Sequence, residues 1–280
     1  MEDSPARATL RRLFRHRLFL SGLALFGIIL AIAAFAPWIT TADPIKLGMR
    51  YKFQPPGSEF VFGTDNLGRS LWSRMVWGAR LSVEIGIVVV SLNAVFGTVV
   101  GAISGYFRVL DGPIMRVNDA LMAFPAILLA IAVAAVLGAS VPNVIIALAV
   151  ATTPHTARIV RASVLVVRAM DYVEAARAIG MTELRVLLRH VLPNTLGPLI
   201  VRLTYVFATA ILAEAALSFI GVGPPPPAPT FGNIIAGGRD FIGDAPWITL
   251  FPGLAVIVSV LGLNLLGDGL RDVLDPRARL

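Results

Sequence analysis

The sequence predicts an all-α polytopic membrane protein with six transmembrane helices. The first reason is composition. The 280-residue chain is 56% hydrophobic and 15% charged, with a mean hydropathy of +0.79, whereas a soluble chain is about 25% charged. The second reason is that runs with little or no charge recur at or above the roughly 20 residues that cross a bilayer. The third is that most of the arginines lie between these runs.

Five apolar stretches contain the six predicted spans. They cover residues 18–42, 87–107, 120–157, 195–220 and 247–267. The third has 38 residues, with Gly138 and Pro142 in its middle. Because that is too long for one span at about 1.5 Å per residue, we predict a tight hairpin of two short spans. The chain then divides into an N-terminal segment (1–17), the first span (18–42), an outer stretch (43–80), a core with five spans (81–276) and a tail (277–280).

The basic residues predict the orientation. With six spans, 17 of the 24 lysines and arginines fall on the side that carries both termini. The seven on the other side are Lys46, Arg50, Lys52, Arg69, Arg74, Arg80 and Arg239. Because basic loops stay on the cytoplasmic side, both termini are predicted to be cytoplasmic. A cleaved signal peptide ending near AIAAFAP is the alternative for the first span, but its apolar region exceeds the usual run of about 7–15 residues.

A charged stretch lies between the fourth and fifth spans. It reads DYVEAARAIGMTELRVLLRHVLPN, residues 171–194. Asp171 is predicted to cap a first helix together with Glu174. Gly180 is predicted to end that helix in a left-handed conformation. Thr182 is predicted to begin a second helix, which Pro193 limits.

Each of these two helices has an apolar stripe at i, i+3, i+4, i+7 spacing. The first stripe is Tyr172, Ala175, Ala176 and Ile179, and the second is Leu184, Leu187, Leu188 and Val191, flanked by Arg185 and Arg189. The small side chains of the first stripe would let another surface approach closely. The residues alone leave two interpretations open: a helix pair that lies on the bilayer surface, or a docking surface for a cytoplasmic protein.

The same stretch resembles the EAA motif of ABC importer permeases. In that motif, Glu-Ala-Ala is followed after three residues by Gly, and after nine more by Ile, one further residue and Leu-Pro. The matching residues here are Glu174, Ala175, Ala176, Gly180, Leu192 and Pro193. His190 stands where the general motif has Ile, a departure that the peptide-permease branch tolerates.

Other stretches resemble the same family. They are FGTDNLGRSLWSRMVWGARLSV, SGYFRVLDGPIMRVNDALMAFP, EAALSFIGVG, APWITLFPG and NLLGDGLRDVLDPR. Two departures are Ser70, where the family usually has Asp, and Phe231, where it usually has Trp. Over residues 8–277 the chain is therefore similar to the C-type permease subunit of dipeptide and oligopeptide ABC importers.

The resemblance implies a fold, a site and partners. The fold would be a six-helix type I importer permease, with a cytoplasmic coupling helix between spans 4 and 5, in a coupling loop at about residues 158–194. The residues coupled to the ATPase would be Tyr172, Glu174, Ala175, Ala176, Ile179 and Gly180. The partners would be a second permease subunit, two cytoplasmic ATPase domains that bind ATP and Mg, an extracytoplasmic solute-binding protein, membrane lipid and a peptide substrate. The location would be the bacterial inner membrane.

No catalytic motif is visible in the sequence. A P-loop needs a lysine in G-x-x-x-x-G-K-[ST], and neither Lys46 nor Lys52 has that context. The three histidines lack metal-ligand spacing, and there is no cysteine for a disulfide or thiolate site. These histidines are His16, His155 and His190. We therefore predict a transport subunit and not an enzyme, with no cofactor or metal of its own and no nucleic acid partner.

Two carboxylates in or beside the spans, Glu84 and Glu214, could have either a functional or a structural role. Ionisable groups in spans are costly and often functional, so Glu84 and Glu214 could bind substrate. Each could also be a local structural residue, with Glu84 paired to Arg80.

Two outer segments are also ambiguous in the sequence. Asp65, Arg69 and Arg74 could contact the solute-binding protein or the second permease, or could belong to a solvated loop. The prolines from Pro224 to Pro227 are predicted to form a stiff polyproline-like segment.

The predicted function is ATP-driven import of short peptides by one permease of a pair. Permeases for nickel chelates or other small solutes belong to the same branch, and the sequence does not separate them. An ion-driven carrier that works alone would need several buried carboxylates along a path, and this chain has few. An intramembrane enzyme would need a nucleophile–base pair, and none is visible.

Overall fold

The computed structural model describes residues 11–40 and 42–274, and within these ranges the regular structure is helical. The helices are α1 (Arg17–Ala34), α2 (Leu71–Leu92), α3 (Thr98–Tyr106), α4 (Arg108–Met122), α5 (Ala126–Leu137), α6 (Val141–Val167), α7 (Asp171–Ala178), α8 (Glu183–Val186), α9 (Leu196–Ile220), α10 (Phe231–Gly238) and α11 (Trp247–Leu274). A short helical turn, Ala36–Ile39, follows α1. The predicted tail and most of the predicted N-terminal segment lie outside the described residues.

Five helical segments in the described ranges are long and apolar enough to cross a membrane. They are α1, Leu71–Tyr106 (α2 with α3), α6, Glu183–Ile220 (α8 with α9) and α11. A sixth span is counted if α4 and α5, which are bent by 88° relative to each other, are taken as one. The prediction of an all-α polytopic membrane protein is confirmed.

The helices do not begin and end at the predicted boundaries. Helix α2 begins at Leu71, within the outer stretch predicted for residues 43–80. Helix α6 continues to Val167, into the coupling loop predicted for about residues 158–194. The second helix of that segment does not end at Pro193, because a π-helical turn (Leu187–Val191) and a 3₁₀ turn (Leu192–Thr195) lead into α9. Proline is tolerated in the first turn of a helical segment, where its missing N–H has no partner to lose.

The predicted hairpin is present, but its first arm is too short to be a span. Gly138, at its turn, has φ of +87°, a conformation that favours glycine. The side-chain amide of Asn143 donates to the carbonyls of Leu137 (2.7 Å) and Gly138 (3.0 Å) and closes the turn. Helix α5 has 12 residues, or about 18 Å at 1.5 Å per residue, against roughly 30 Å of hydrocarbon.

Glycines bring α3 and α6 into close contact. They are Gly97, Gly101 and Gly105, four residues apart on one face. A Cβ atom added at Gly101 would lie 2.5 Å from the carbonyl oxygen of Ala157, and one added at Gly97 would lie 2.6 Å from the Thr156 side chain. Small residues at such spacing let helix backbones approach closely in membranes. We conclude that α3 and α6 are packed as a pair that larger side chains would separate.

The loop between α1 and α2 is folded around a buried carboxylate. The Oδ2 atom of Asp65 accepts from Nε of Arg69 at 2.7 Å and from Nη1 of Arg74 at 2.5 Å. Its Oδ1 atom accepts from the N–H groups of Leu67 and Arg69, both at 2.9 Å. All three charged side chains are buried. The solvated loop and the partner-contact interpretations of these residues are therefore both wrong.

Burial and charge act in opposite directions on Asp65. Burial by itself raises the pKa of the carboxyl group, but the N–H of Arg69, the charges of Arg74 and Arg69 and the N–H of Leu67 lower it. The net result is a pKa below the ordinary value of 3.8, so Asp65 is ionised at neutral pH.

The proline segment is a turn and not an extended polyproline helix. The N–H of Ala228 donates to the carbonyl of Pro225 at 3.2 Å. The side-chain amide of Asn233, on α10, donates to the carbonyls of Pro224 (2.8 Å) and Ala228 (3.1 Å). These hydrogen bonds fold the segment back onto α10.

Candidate coupling site

Helix α7 opens the segment between α6 and α9. The residue before its first turn is Met170, and no side chain caps the helix there. The prediction that Asp171 is the cap is therefore wrong by one position. Asp171 and Glu174 both lie in the first turn, where negative charge interacts favourably with the helix dipole.

The end of α7 matches the prediction. Gly180 has φ of +86°, and its N–H donates to the carbonyl of Arg177 at 2.9 Å. The N–H of Met181 donates to the carbonyl of Ala176 at 3.2 Å. This pair of bonds is the Schellman arrangement that ends a helix on a left-handed residue. The left-handed turn at Gly180 therefore sets the angle between α7 and α8.

The predicted stripe on α7 is divided between two faces. Val173 is fully buried and Ala176 is 5% exposed, and both pack in one hydrophobic cluster with residues of α6 and α8. Tyr172 is 41% exposed, Ile179 is 76% exposed, and Ala175 is also exposed. Ala176 therefore contacts this chain's own core, and the expectation that it faces a partner at close range is wrong.

The second stripe is divided in the same way. Leu187 and Val191 are buried together with Val186, whereas Leu184 and Leu188 are more than half exposed. The π-helical turn over Leu187–Val191 changes the angle per residue, so the spacing of a regular α-helix no longer describes one face. The exposed apolar side chains of the whole element are Tyr172, Ala175, Ala178, Ile179, Leu184 and Leu188.

Tyr106, the last residue of α3, joins this element to the spans. Its hydroxyl donates to the carboxylate of Glu183 and accepts from Nη2 of Arg177 at 3.2 Å. The guanidinium of Arg177 also lies over the Tyr106 ring, 5.5 Å from its centroid, and its Nε is 3.4 Å from Oε2 of Glu183. A movement of α7 and α8 therefore acts directly on the end of α3.

Arg161 on α6 and Arg168, the residue that follows α6, support the same region. Arg161 forms two hydrogen bonds of 2.6 Å with the carboxylate of Asp111 on α4. Arg168 donates from Nη1 to the carbonyls of Gly105 (2.6 Å) and Tyr106 (3.1 Å), which satisfies the end of α3. The sequence alone assigns no role to these residues, although the acidic residue in the SGYFRVLDG stretch is a usable signal for a partner.

A polar cavity of about 510 Å³ lies beside α7. It is lined by Tyr106, Phe107, Arg108, Leu165, Arg168, Ala169, Glu174, Arg177 and Glu183. Within the described residues, no ion pair involves Glu174. Its exposed carboxylate is thus available to a cation from another protein.

The two carboxylates left open by the sequence have opposite surroundings. Glu214 is fully buried and accepts from the hydroxyls of Ser82 on α2 (3.0 Å) and Ser218 (2.7 Å). Glu84 is exposed, and the described part of the chain forms no ion pair between it and Arg80. Glu214 is therefore a structural link between α2 and α9.

The histidines lie in separate places. Nε2 of His16 is 3.4 Å from Oδ2 of Asp272, whereas His155 is on α6 and His190 is in the π-helical turn. The described residues contain no group of three His, Cys, Asp or Glu side chains that could hold a metal.

The architecture first defines a class. A helical bundle of membrane-crossing length, with an exposed amphipathic helix pair between two spans, is a polytopic membrane protein with a surface that another protein could contact. Family models then match most of the chain. The model described as "Binding-protein-dependent transport system inner membrane component" matches residues 97–280, and that described as "N-terminal TM domain of oligopeptide transport permease C" matches residues 4–56. The chain therefore belongs to the family of inner membrane components of binding-protein-dependent transport systems.

Individual relatives agree with this assignment. The chain is 55% identical over 277 residues to a permease protein of Brucella abortus, provisionally named for peptide transport, with 99% of this chain and 94% of that protein covered. It is 43% identical to the dipeptide transport system permease protein of Alkalihalophilus pseudofirmus, with 99% and 91% covered. A solved inward-facing methionine ABC transporter matches with a TM-score of 0.60 at 21% identity, over 72% of this chain and 97% of that one, and supports the fold.

These matches decide among the classes left open by the sequence. The resemblance to C-type ABC importer permeases is confirmed, and the chain is a membrane-embedded transport subunit rather than an enzyme. A carrier that works alone is set aside, because the family consists of components of larger transport systems.

Proposed function

We propose that this chain is one of two permease subunits of an ATP-driven importer for short peptides in a bacterial inner membrane. A solute-binding protein outside the cell delivers the peptide, and two cytoplasmic ATPase domains, which bind the ATP and Mg, supply the energy. Both termini and the segment from α7 to α8 lie in the cytoplasm. The peptide substrate is supported by relatives that carry peptide and dipeptide transport in their names, and the orientation by the basic residues on that side.

The observation that carries the proposal is the exposed apolar surface of α7 and α8. Tyr172, Ala175 and Ile179 are uncovered within the described chain, next to the unpaired carboxylate of Glu174. Gly180 and the buried side of α7 hold this surface in one orientation. Docking of an ATPase here would act on the hydrogen bonds that join Tyr106 to Arg177 and Glu183. The ATPase can move the spans only if its contact with this surface differs between its two states.

The test uses the whole importer, purified through this chain and reconstituted with its solute-binding protein. Ile179→Asp places a charge in the centre of the proposed contact and should lower copurification of the ATPases and peptide uptake at least tenfold. Ile242→Asp is the matched control, because Ile242 is also exposed, at 55%, but lies in the opposite outer region. Equal behaviour of the two variants would contradict docking at α7. Absence of peptide uptake by the parental importer would contradict the substrate.

A further inference from the structure

Arg80 and Glu84 lie on a face of α2 that the described part of the chain leaves uncovered. Both side chains are exposed, and residues four apart share one side of a helix, with Cβ atoms about 5–6 Å apart. The same exposed face continues along the helix through Ile87, Ser91 and Val95. It therefore presents two opposite charges at one end and a mostly apolar surface beyond them.

Contacts of neighbouring residues place these two charges at membrane depth. Nε1 of Trp77 donates to Oγ1 of Thr40 at 3.0 Å, so Trp77 is level with the outer end of the uncharged run 18–42. Gly86 lies against the ring of Phe207, which meets the ring of Phe26 edge-to-face with centroids 5.2 Å apart. Gly86 is therefore level with a residue inside that run.

Arg80 and Glu84 fall between these two levels. Glu84 is two residues from Gly86, or about 3 Å along the helix axis, which places it near the middle of the first span. A charged side chain at the centre of a bilayer is energetically costly unless a partner or water compensates it. Lipid is thus a poor neighbour for this face, and water, substrate or protein must cover it.

Neither charge is neutralised within the described residues. No ion pair there includes Arg80 or Glu84, and the guanidinium of Arg80 instead lies 5.6 Å from the centroid of the Trp77 ring. Glu214, at the same membrane depth on α9, shows how this chain treats a structural carboxylate: it is buried and receives two hydroxyl hydrogen bonds. Glu84 is exposed and has no comparable hydrogen bonds within the described residues, so its carboxylate is available to a molecule that passes along this face.

We infer that Arg80 and Glu84 form a two-point recognition site for the charged ends of a short peptide during translocation. This inference rests on the proposed function and names a part of its path. A free peptide carries one ammonium and one carboxylate, and the ends of an extended dipeptide are about 7 Å apart at 3.3–3.6 Å per residue. Glu84 accepts the ammonium group, and Arg80 donates to the carboxylate with the fork geometry that guanidinium offers. The mostly apolar face beyond them tolerates different side chains.

The test measures dipeptide imported per ATP hydrolysed by the reconstituted parental importer and by four variants. Glu84→Gln and Arg80→Gln should each lower this ratio at least tenfold. Glu84→Asp should keep most of it, and Arg80→Lys, which keeps the charge but loses the fork geometry, should give an intermediate ratio. Hydrolysis stimulated by the loaded solute-binding protein should stay within twofold in all four. Glu59→Gln, at an exposed outer carboxylate, should match the parent. A dipeptide with a photoreactive side chain, activated during turnover, should label α2 in the parent and not in the two Gln variants.

Each other result overturns the inference. If both Gln variants import like the parent, or if the label never reaches α2, the pair does not contact the peptide. If the Gln variants lose the second permease on purification, the charges belong to the subunit interface. If the parent and all variants import peptide equally, the recognition site is contradicted and the proposed function stands. If the parent imports no peptide, both the recognition site and the proposed function are contradicted.

Discussion

The outer loop before α2 and the segment between α6 and α9 are both charged connections between spans, yet they use charge in opposite ways. The outer loop buries Asp65, Arg69 and Arg74 and satisfies them with one another. The segment from α7 to α8 leaves Glu174 and Arg185 exposed and buries apolar side chains instead. Charge holds the first region in its own fold, whereas in the second only Arg177 and Glu183 are paired within the described chain and the charges of Glu174 and Arg185 remain available to other molecules.

The difference predicts different costs of mutation. A buried ion cluster is costly to break, because the remaining partners stay buried without compensation. Exposed charges contribute little to stability, so changes in the α7–α8 segment should alter function more than folding.

The largest expected effect on stability is at Asp65. Asp65→Asn removes the negative charge between two buried arginines and should destabilise the protein by about 3–5 kcal/mol. Thermal unfolding of the purified chain in detergent measures the loss. Glu59→Gln, an exposed carboxylate in the same loop, should change the unfolding temperature little, and equal effects would show that the cluster is not special.

The same carboxylate predicts an acid response. Because the folded pKa of Asp65 is below its ordinary value of 3.8, its contribution is fully present above that value and is lost as the pH falls through the folded pKa. The unfolding temperature should therefore contain no step due to Asp65 between pH 7 and pH 5, and a step below pH 4 that Asp65→Asn lacks. A step near pH 6 that disappears in the variant would mean a raised pKa.

A smaller cost in stability, but a larger one in coupling, is expected at Gly180. Gly180→Val forces a β-branched residue into a left-handed conformation, which should lower the free energy of unfolding by about 1–2 kcal/mol. The cost is conformational and not steric, because an added Cβ meets no atom within 4 Å. The angle between α7 and α8 should change, and peptide uptake per ATP hydrolysed should fall severalfold. Gly243→Val is the control, because Gly243 also has open space but no positive φ. Parental coupling in both variants would remove the role of the turn.

The smallest effect is expected at Tyr106. Tyr106→Phe keeps the ring over Arg177 but loses the hydroxyl that joins Arg177 and Glu183. The expected loss in the free energy of unfolding is about 0.5–1.5 kcal/mol. We expect a nearly normal unfolding temperature with a lower ratio of uptake to hydrolysis. Tyr205→Phe removes a comparable hydroxyl–carboxylate bond, to Asp268, away from α7. If both variants lower the ratio of uptake to hydrolysis equally, the hydrogen bonds of Tyr106 with Arg177 and Glu183 have no specific role in coupling.

The spans could be predicted from sequence because an uncharged run of sufficient length has few alternatives. The same reasoning failed where length and charge were ambiguous. The amphipathic α4 and the 12-residue α5 depend on packing against α6, which no local pattern records. Asp65 and its arginines have the composition of a solvated loop, and only their convergence in space reveals the cluster.

The candidate site was predicted in its outline and not in its faces. Gly180 could be recognised because the left-handed conformation is a local property of the chain. The burial of Ala176 follows from its contact with a cluster that includes α6 and α8, and the division of the second stripe follows from a π-helical turn. Neither the burial of Ala176 nor the division of the second stripe can be predicted from the spacing of nearby residues in the sequence.

The close contacts of Gly97, Gly101 and Gly105 with α6 fix the inner end of the long helical segment from Leu71 to Tyr106 along its length and not at a single point. From Gly97 to Gly105 this contact extends over eight residues, or about 12 Å at 1.5 Å per residue. A force applied at Tyr106 by the α7–α8 segment would therefore act on α3 and α6 together, as one stiff two-helix body.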